Sequence, residues 1–131
     1  FTAEGVLGVG FQCAYEELEG SSRWYALELA VDGATIRKRP LGIAEVETLG
    51  HNPNIVLGTQ QTRLDVTCLL TGGVYHLKLM VNGELALDVT DDQEPFGRAG
   101  APSLSVRAAA GGLDEPTPVV RFDRFEVDTA G

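Results

Sequence analysis

The side chains able to do chemistry here fall into four groups: one tryptophan with polar company, a run of acids, a basic triplet and two cysteines. Trp24 is the only tryptophan. Carbohydrate recognition uses such a ring to stack on a sugar face, and polar side chains to bond the hydroxyls. In "RWYALELAVDG" a period of two puts Tyr25, Leu27, Leu29 and Val31 on one face and Trp24, Ala26, Glu28 and Ala30 on the other. Trp24 and Glu28 therefore share a polar face. Gln12, Arg63, Asp65, His76 and Lys78 hold polar positions of other alternating segments and are the further ligand-binding candidates. The plainer alternative is that Trp24 opens a strand and covers the acidic loop "EELEGSS".

The acids Asp91, Asp92 and Glu94 cluster in "DVTDDQE", read as a turn after a hairpin, and Asp123 lies further on. Calcium takes six to eight oxygens, so Asp91, Asp92 and Asp123 are the metal candidates, with ordinary solvated loop acids as the alternative. No pair of carboxylates alternates along one strand in the manner of a glycosidase. Neither His51, in a loop, nor His76, on a polar strand face, belongs to a Ser-His-Asp set, so no catalytic residues are assigned. Arg37-Lys38-Arg39 reads as an exposed strand face and loop rather than a phosphate site. Cys13 and Cys68 permit one disulfide or two reduced core thiols, and their spacing does not fit zinc.

Positioning these groups are short alternating segments divided by turn residues. In "LGVGFQCAY", Leu7, Val9, Phe11, Cys13 and Tyr15 read as one face. Asp32-Gly33 reads as a hairpin turn, and Pro40 ends the strand after it. Residues Ile43 to Gln60 read as a helical turn or an irregular loop, with a bend at Asn52-Pro53. Leu64, Val66, Cys68 and Leu70 then share a face, and Thr71-Gly72-Gly73 turns the chain into Tyr75, Leu77, Leu79 and Val81. Asn82-Gly83, the strongest hairpin signal in the chain, leads to Leu85, Leu87 and Val89. "PSLSVRAAA" and "VVRFDRFEV" supply two more strands. In the last, Phe122 and Phe125 both reach a core only across a bulge at Asp123-Arg124. The expectation is about eight strands, no helix, and two antiparallel sheets packed face to face.

The chain has 131 residues, 44% apolar and 22% charged, which places it with single globular domains rather than disordered chains. Its net charge of −9 argues against nucleic acid and anionic membrane surfaces as partners. No apolar run approaches the roughly 20 residues of a membrane-spanning helix. The chain starts at Phe1, so a processed product or a segment of a longer protein is expected.

"GVGFQCAY", "RWYALELAVDG", "LDVTCLLTGGVYHLKLMVNGELALDVTDD", "FGRAGAPSLSVRA" and "VVRFDRFEV" together resemble the concanavalin A-like (laminin G-like) jelly-roll superfamily, in its bacterial extracellular modules. The resemblance covers roughly four-fifths of the chain; its most specific pieces are the Asn-Gly hairpin and "RFDRFEV". It implies a two-sheet sandwich in which one or two strands usually precede "GVGF"; here either those strands are missing, which would leave an open edge for a second copy or companion segment, or a shorter sandwich closes by other means. It also implies a Cys13–Cys68 bridge and an extracellular or cell-surface setting. The function it implies is a non-catalytic ligand-binding or sensor module, plausible as a glycan binder, with no cofactor beyond a structural calcium. A glycoside-active enzyme of the three-keto-glycoside hydrolase kind and a structural interaction domain are the alternatives.

Overall fold

The computed structural model describes residues 1–18, 20–40, 45–92, 101–108 and 119–121. They form ten strands: β1 (Thr2–Glu4), β2 (Val6–Leu18), β3 (Ser21–Ala30), β4 (Gly33–Arg39), β5 (Glu47–Asn52), β6 (Leu64–Thr71), β7 (Val74–Val81), β8 (Glu84–Asp91), β9 (Ala101–Ala108) and β10 (Val119–Arg121). No helix occurs among the described residues, and so none long and apolar enough to cross a membrane. Every pairing is antiparallel. One sheet has five strands in the order β5-β4-β3-β2-β9, a second runs β6-β7-β8, and β1 pairs with β10.

Turn chemistry sets the register. Asn82 (φ 52°) and Gly83 (φ 81°) both adopt the left-handed conformation of a two-residue primed turn, which fixes Val81 opposite Glu84. Gly72 and Gly73 do the same between β6 and β7. The β3–β4 turn differs from expectation: Ala30 pairs with Gly33, so Val31-Asp32 is the loop and Gly33 already belongs to β4. A side chain at Gly33 would meet the Asn52 carbonyl oxygen at 2.6 Å.

With register fixed, alternation separates core from solvent. Tyr25, Leu27, Leu29, Ala34 and Ile36 of the five-stranded sheet face Tyr75, Leu77, Leu79 and Val81 of the three-stranded one, and all are buried. Leu64, Val66, Cys68, Leu70, Leu87 and Val89 pack against them. Cys13 and Cys68 are bonded to each other, tying β2 to β6 through this core.

Two strands escape the sequence pattern. β1 is only three residues long. β5, "ETLGHN", alternates too poorly to be seen; it exists because β4 offers it a ladder. Gly50 lets it approach the other sheet, since a β-carbon there would lie 3.2 Å from Val89 and 3.3 Å from Leu87. The Asn52-Pro53 bend is present, with the Asn54 N–H donating to Asn52 Oδ1. The expected bulge at Asp123-Arg124 lies outside the described residues.

A different bulge matters more. Ala14 has φ 55°, and the pairing of β2 slips there with both neighbours, between Cys13 and Glu16 towards β3 and between Gln12 and Tyr15 towards β9. Two residues, Ala14 and Tyr15, thus stand opposite Trp24 alone. Beyond the slip the faces exchange: Glu16 pairs with Arg23 on the side of Cys13 and Tyr25, and Tyr15 falls on the side of Trp24. The single face expected for Leu7 to Tyr15 therefore runs only from Val9 to Cys13, since Leu7, beside a second slip against β9, is exposed. The left-handed residue breaks the period of two.

Candidate functional site

Polar side chains gather in two places, one between the sheets and one on the outside of the five-stranded sheet. The inner group is assembled by register. Tyr25 and Lys38 are partners across β3 and β4, and Tyr75 and Asp91 are partners across β7 and β8. Where the sheets meet, Lys38 Nζ lies 2.7 Å from Asp91 Oδ2, and the Tyr25 hydroxyl donates to the same oxygen at 2.5 Å. The rings of Tyr25 and Tyr75 pack with centroids 4.8 Å apart. Glu16 and Arg23, brought inward by the bulge, form a partly buried ion pair on the same side.

Burial pushes the Tyr75 hydroxyl above its ordinary pKa of 10.0, and the Arg23 guanidinium opposes that rise in part. Lys38 and Asp91 are each only 3% exposed, so no ligand in solution reaches them. Charges this dry persist only when paired and hydrogen-bonded. The cluster holds the two sheets to each other; its chemistry is internal.

Two expectations change here. Lys38 is not on an exposed strand face: β4 alternates as a strand must, so Arg37 and Arg39 face outward and the lysine between them faces in. Asp91 is not a turn residue but the last of β8, facing the interior with Lys38 as its counter-charge. Asp92 beside it is exposed, so these two acids do not converge. Glu94 and Asp123 lie outside the described residues. Among the described residues no three His, Cys, Asp or Glu side chains come together as a metal site.

The outer group lies on the opposite side of the same strands. Gln12 is the partner of Ala26, and Ala26 of Arg37; Gly10 is the partner of Glu28, Glu28 of Thr35, and Thr35 of His51; Trp24 is the partner of Arg39. Tyr15 joins Trp24 through the bulge, and neither aromatic belongs to the core cluster. Both are half-buried, as are Gln12 and Arg39. Glu28 lies over two glycines: a β-carbon at Gly8 would meet its Cδ at 2.8 Å, and one at Gly10 would meet the Leu27 carbonyl oxygen at 2.5 Å. Its Oε1 is 3.9 Å from Arg37 Nη1, and Thr35 Oγ1 lies 2.9 Å from His51 Nδ1.

The ligand residues expected from sequence are divided between two surfaces. Trp24, Glu28 and Gln12 share the outer face of the five-stranded sheet. Asp65, His76 and Lys78 are on the outer face of the three-stranded sheet, where Lys78 pairs with Asp88 and His76 with Thr90. Arg63, just before β6, is exposed and bonds Asp65 at 3.1 Å. Those four cannot contact a ligand bound at Trp24, because both sheets and the core lie between. Tyr15, Arg37 and Arg39 were the residues missed. The two arginines were legible in principle, since strict alternation across Arg37-Lys38-Arg39 sends the middle residue the other way. Tyr15 was not, because only the bulge puts it outside. Comparison with protein-family models, curated proteins and solved structures finds no match for this chain.

Proposed function

We propose that this is a non-catalytic glycan-binding module of an extracellular protein, built as a concanavalin A-like jelly roll. The binding surface is the outer face of the five-stranded sheet. The observation carrying the proposal is the arrangement around the Ala14 bulge: Tyr15 and Trp24 stand on one polar face with Arg39 and Gln12. Half-buried aromatics beside fixed polar groups are what sugar stacking requires, because the ring covers apolar C–H groups while the polar neighbours bond hydroxyls.

Three further features support the reading. The Cys13–Cys68 disulfide suits an oxidising compartment. The pairing of β1 with β10, the last strand among the described residues, and the two-sheet packing fit a jelly roll. Among the described residues the Lys38–Asp91 pair is withdrawn from water, which suits a scaffold role.

Trp24, the only tryptophan, makes its own fluorescence the assay. Titration with soluble polysaccharides is expected to quench or shift it, and Trp24→Phe or Tyr15→Ala to weaken retention of the protein in polysaccharide-containing gels. Silence across neutral and acidic polysaccharides would favour an interaction domain instead. Turnover of chromogenic glycosides that is lost in Glu28→Gln would make the protein an enzyme.

A further inference from the structure

We propose that the ligand of this face is an acidic saccharide, one bearing carboxylate or sulfate groups, held by Arg37 and Arg39. The proposal rests on the glycan-binding reading and narrows it to a charge class. Residues two apart on one strand project from the same face about 7 Å from each other, so β4 presents two guanidinium groups side by side. A guanidinium is a planar fork of donors matched to an oxyanion, which makes arginine the side chain suited to bind carboxylate or sulfate in two-point contact.

The charge balance of this face differs from that of the chain as a whole. The chain carries 19 acidic against 10 basic residues, yet the described side chains on this face include two arginines and only two acids, Glu28 and Glu17. Glu28 is 3.9 Å from Arg37, too far for a strong pair, and Arg37 remains 36% exposed. Glu17 sits at the far end of β2, exposed. Arg39 has its Nε shut away from water with no hydrogen-bond partner among the described residues. Its desolvation has thus already been incurred without the bond that would offset it. Trp24, its cross-strand partner, supplies a ring on which the sugar bearing the acid stacks. On the other sheet Arg63 bonds Asp65 and Lys78 stands opposite Asp88, so each described cation there has an acid beside it, whereas Arg37 and Arg39 lie next to each other on one strand.

The test uses the whole chain and the Trp24 fluorescence titration, with polygalacturonate, its methyl-esterified neutral form, dextran sulfate, dextran and polyglutamate as probes. Polygalacturonate or dextran sulfate is expected to bind at least about tenfold more tightly than its neutral counterpart, and more weakly as salt rises. The arm that binds names the acid as carboxylate or sulfate. Arg37→Gln and Arg39→Gln should each lose about tenfold for the acidic polymer, whereas Lys78→Gln on the other sheet should change nothing. Unfolding midpoints equal to wild type show that the variants remain folded. Equal binding of charged and neutral polymers overturns the acidic selectivity and leaves glycan binding standing. Equal binding of polyglutamate overturns it too, by showing that charge alone suffices. Binding of none of the five overturns both.

Discussion

Lys38 Nζ and Asp91 Oδ2 lie 2.7 Å apart between the two sheets, with both side chains almost wholly withdrawn from water. Each comes from a different sheet, so the pair fixes how one sheet is placed on the other. The desolvation of such charges offsets much of their attraction, and the effect of a substitution therefore depends on what is left behind. Lys38→Met or Asp91→Leu alone strands the other charge and should lower unfolding free energy by about 3–5 kcal/mol. The double variant strands none and should recover most of that loss. Urea unfolding of the four proteins measures it, and additive losses would show that the two residues do not act as a pair.

The Cys13–Cys68 bridge joins residues 55 apart in sequence. In the chain-entropy account a loop of that length confers roughly 4 kcal/mol. Cys13→Ala/Cys68→Ala, or reduction of the native protein, should lower stability by about that amount. Thiol titration of the unreduced, denatured chain should find no free sulfhydryl.

Tyr75 gives the stability a pH dependence on the alkaline side. Burial raises its pKa in the folded state above 10.0, so the unfolded chain loses this proton first as pH increases. The contribution is fully present below pH 10, and declines as pH climbs from there through the folded-state value. Thermal midpoints should fall over that range, and fall less steeply in Tyr75→Phe. Identical alkaline limbs in the two proteins would remove Tyr75 as the cause.

Most of the fold was legible because most of it obeys one rule. The alternation in β3, β6 and β7 specifies register and core together, as Tyr25, Leu77 and Leu79 illustrate; in β8 it holds for Leu87 and Val89, but a slip leaves Leu85 exposed and buries Ala86 instead. What stayed hidden depended on contacts outside the local chain. β5 has little pattern of its own and is held by β4. Lys38 looked like surface because of its charge, although its position in the alternation pointed inward, and only Asp91 on the other sheet makes that position tolerable. The site suffered in the same way: residues on polar faces of both sheets looked equivalent until the packing put Trp24 and His76 on opposite sides.

The two glycines beneath Glu28 separate stability from function. A β-carbon at Gly10 would sit 2.5 Å from the Leu27 carbonyl oxygen and 2.9 Å from Glu28 Cα, both backbone, so β2 and β3 must move apart. Gly10→Ala should cost about 1–3 kcal/mol, as overpacking of a tight interior does. At Gly8 the nearest atoms belong to the end of the Glu28 side chain, which can swing aside. Gly8→Ala should therefore change stability little, and displace the carboxylate across the outer face. The expected result is a changed saccharide affinity at a nearly unchanged urea midpoint.

Ala14 is the residue that sets where Tyr15 and Glu16 face. In the left-handed region an alanine carries strain of about 1 kcal/mol that glycine avoids. Ala14→Gly should thus be neutral or slightly stabilising, offset by the loss of a buried methyl group, whereas Ala14→Val should be clearly destabilising. Deleting Ala14 is the sharper experiment. Without the extra residue β2 pairs regularly with both neighbours: Cys13 faces inward, Tyr15 falls opposite Trp24 and faces outward, and Glu16 stays opposite Arg23 on the inner side. The deletion should therefore keep Trp24 fluorescence responsive to saccharide, with a urea midpoint close to that of Ala14→Gly. A deletion variant that folds but has lost the response would show that the kink at the bulge, and not the facing alone, places Tyr15 beside Trp24.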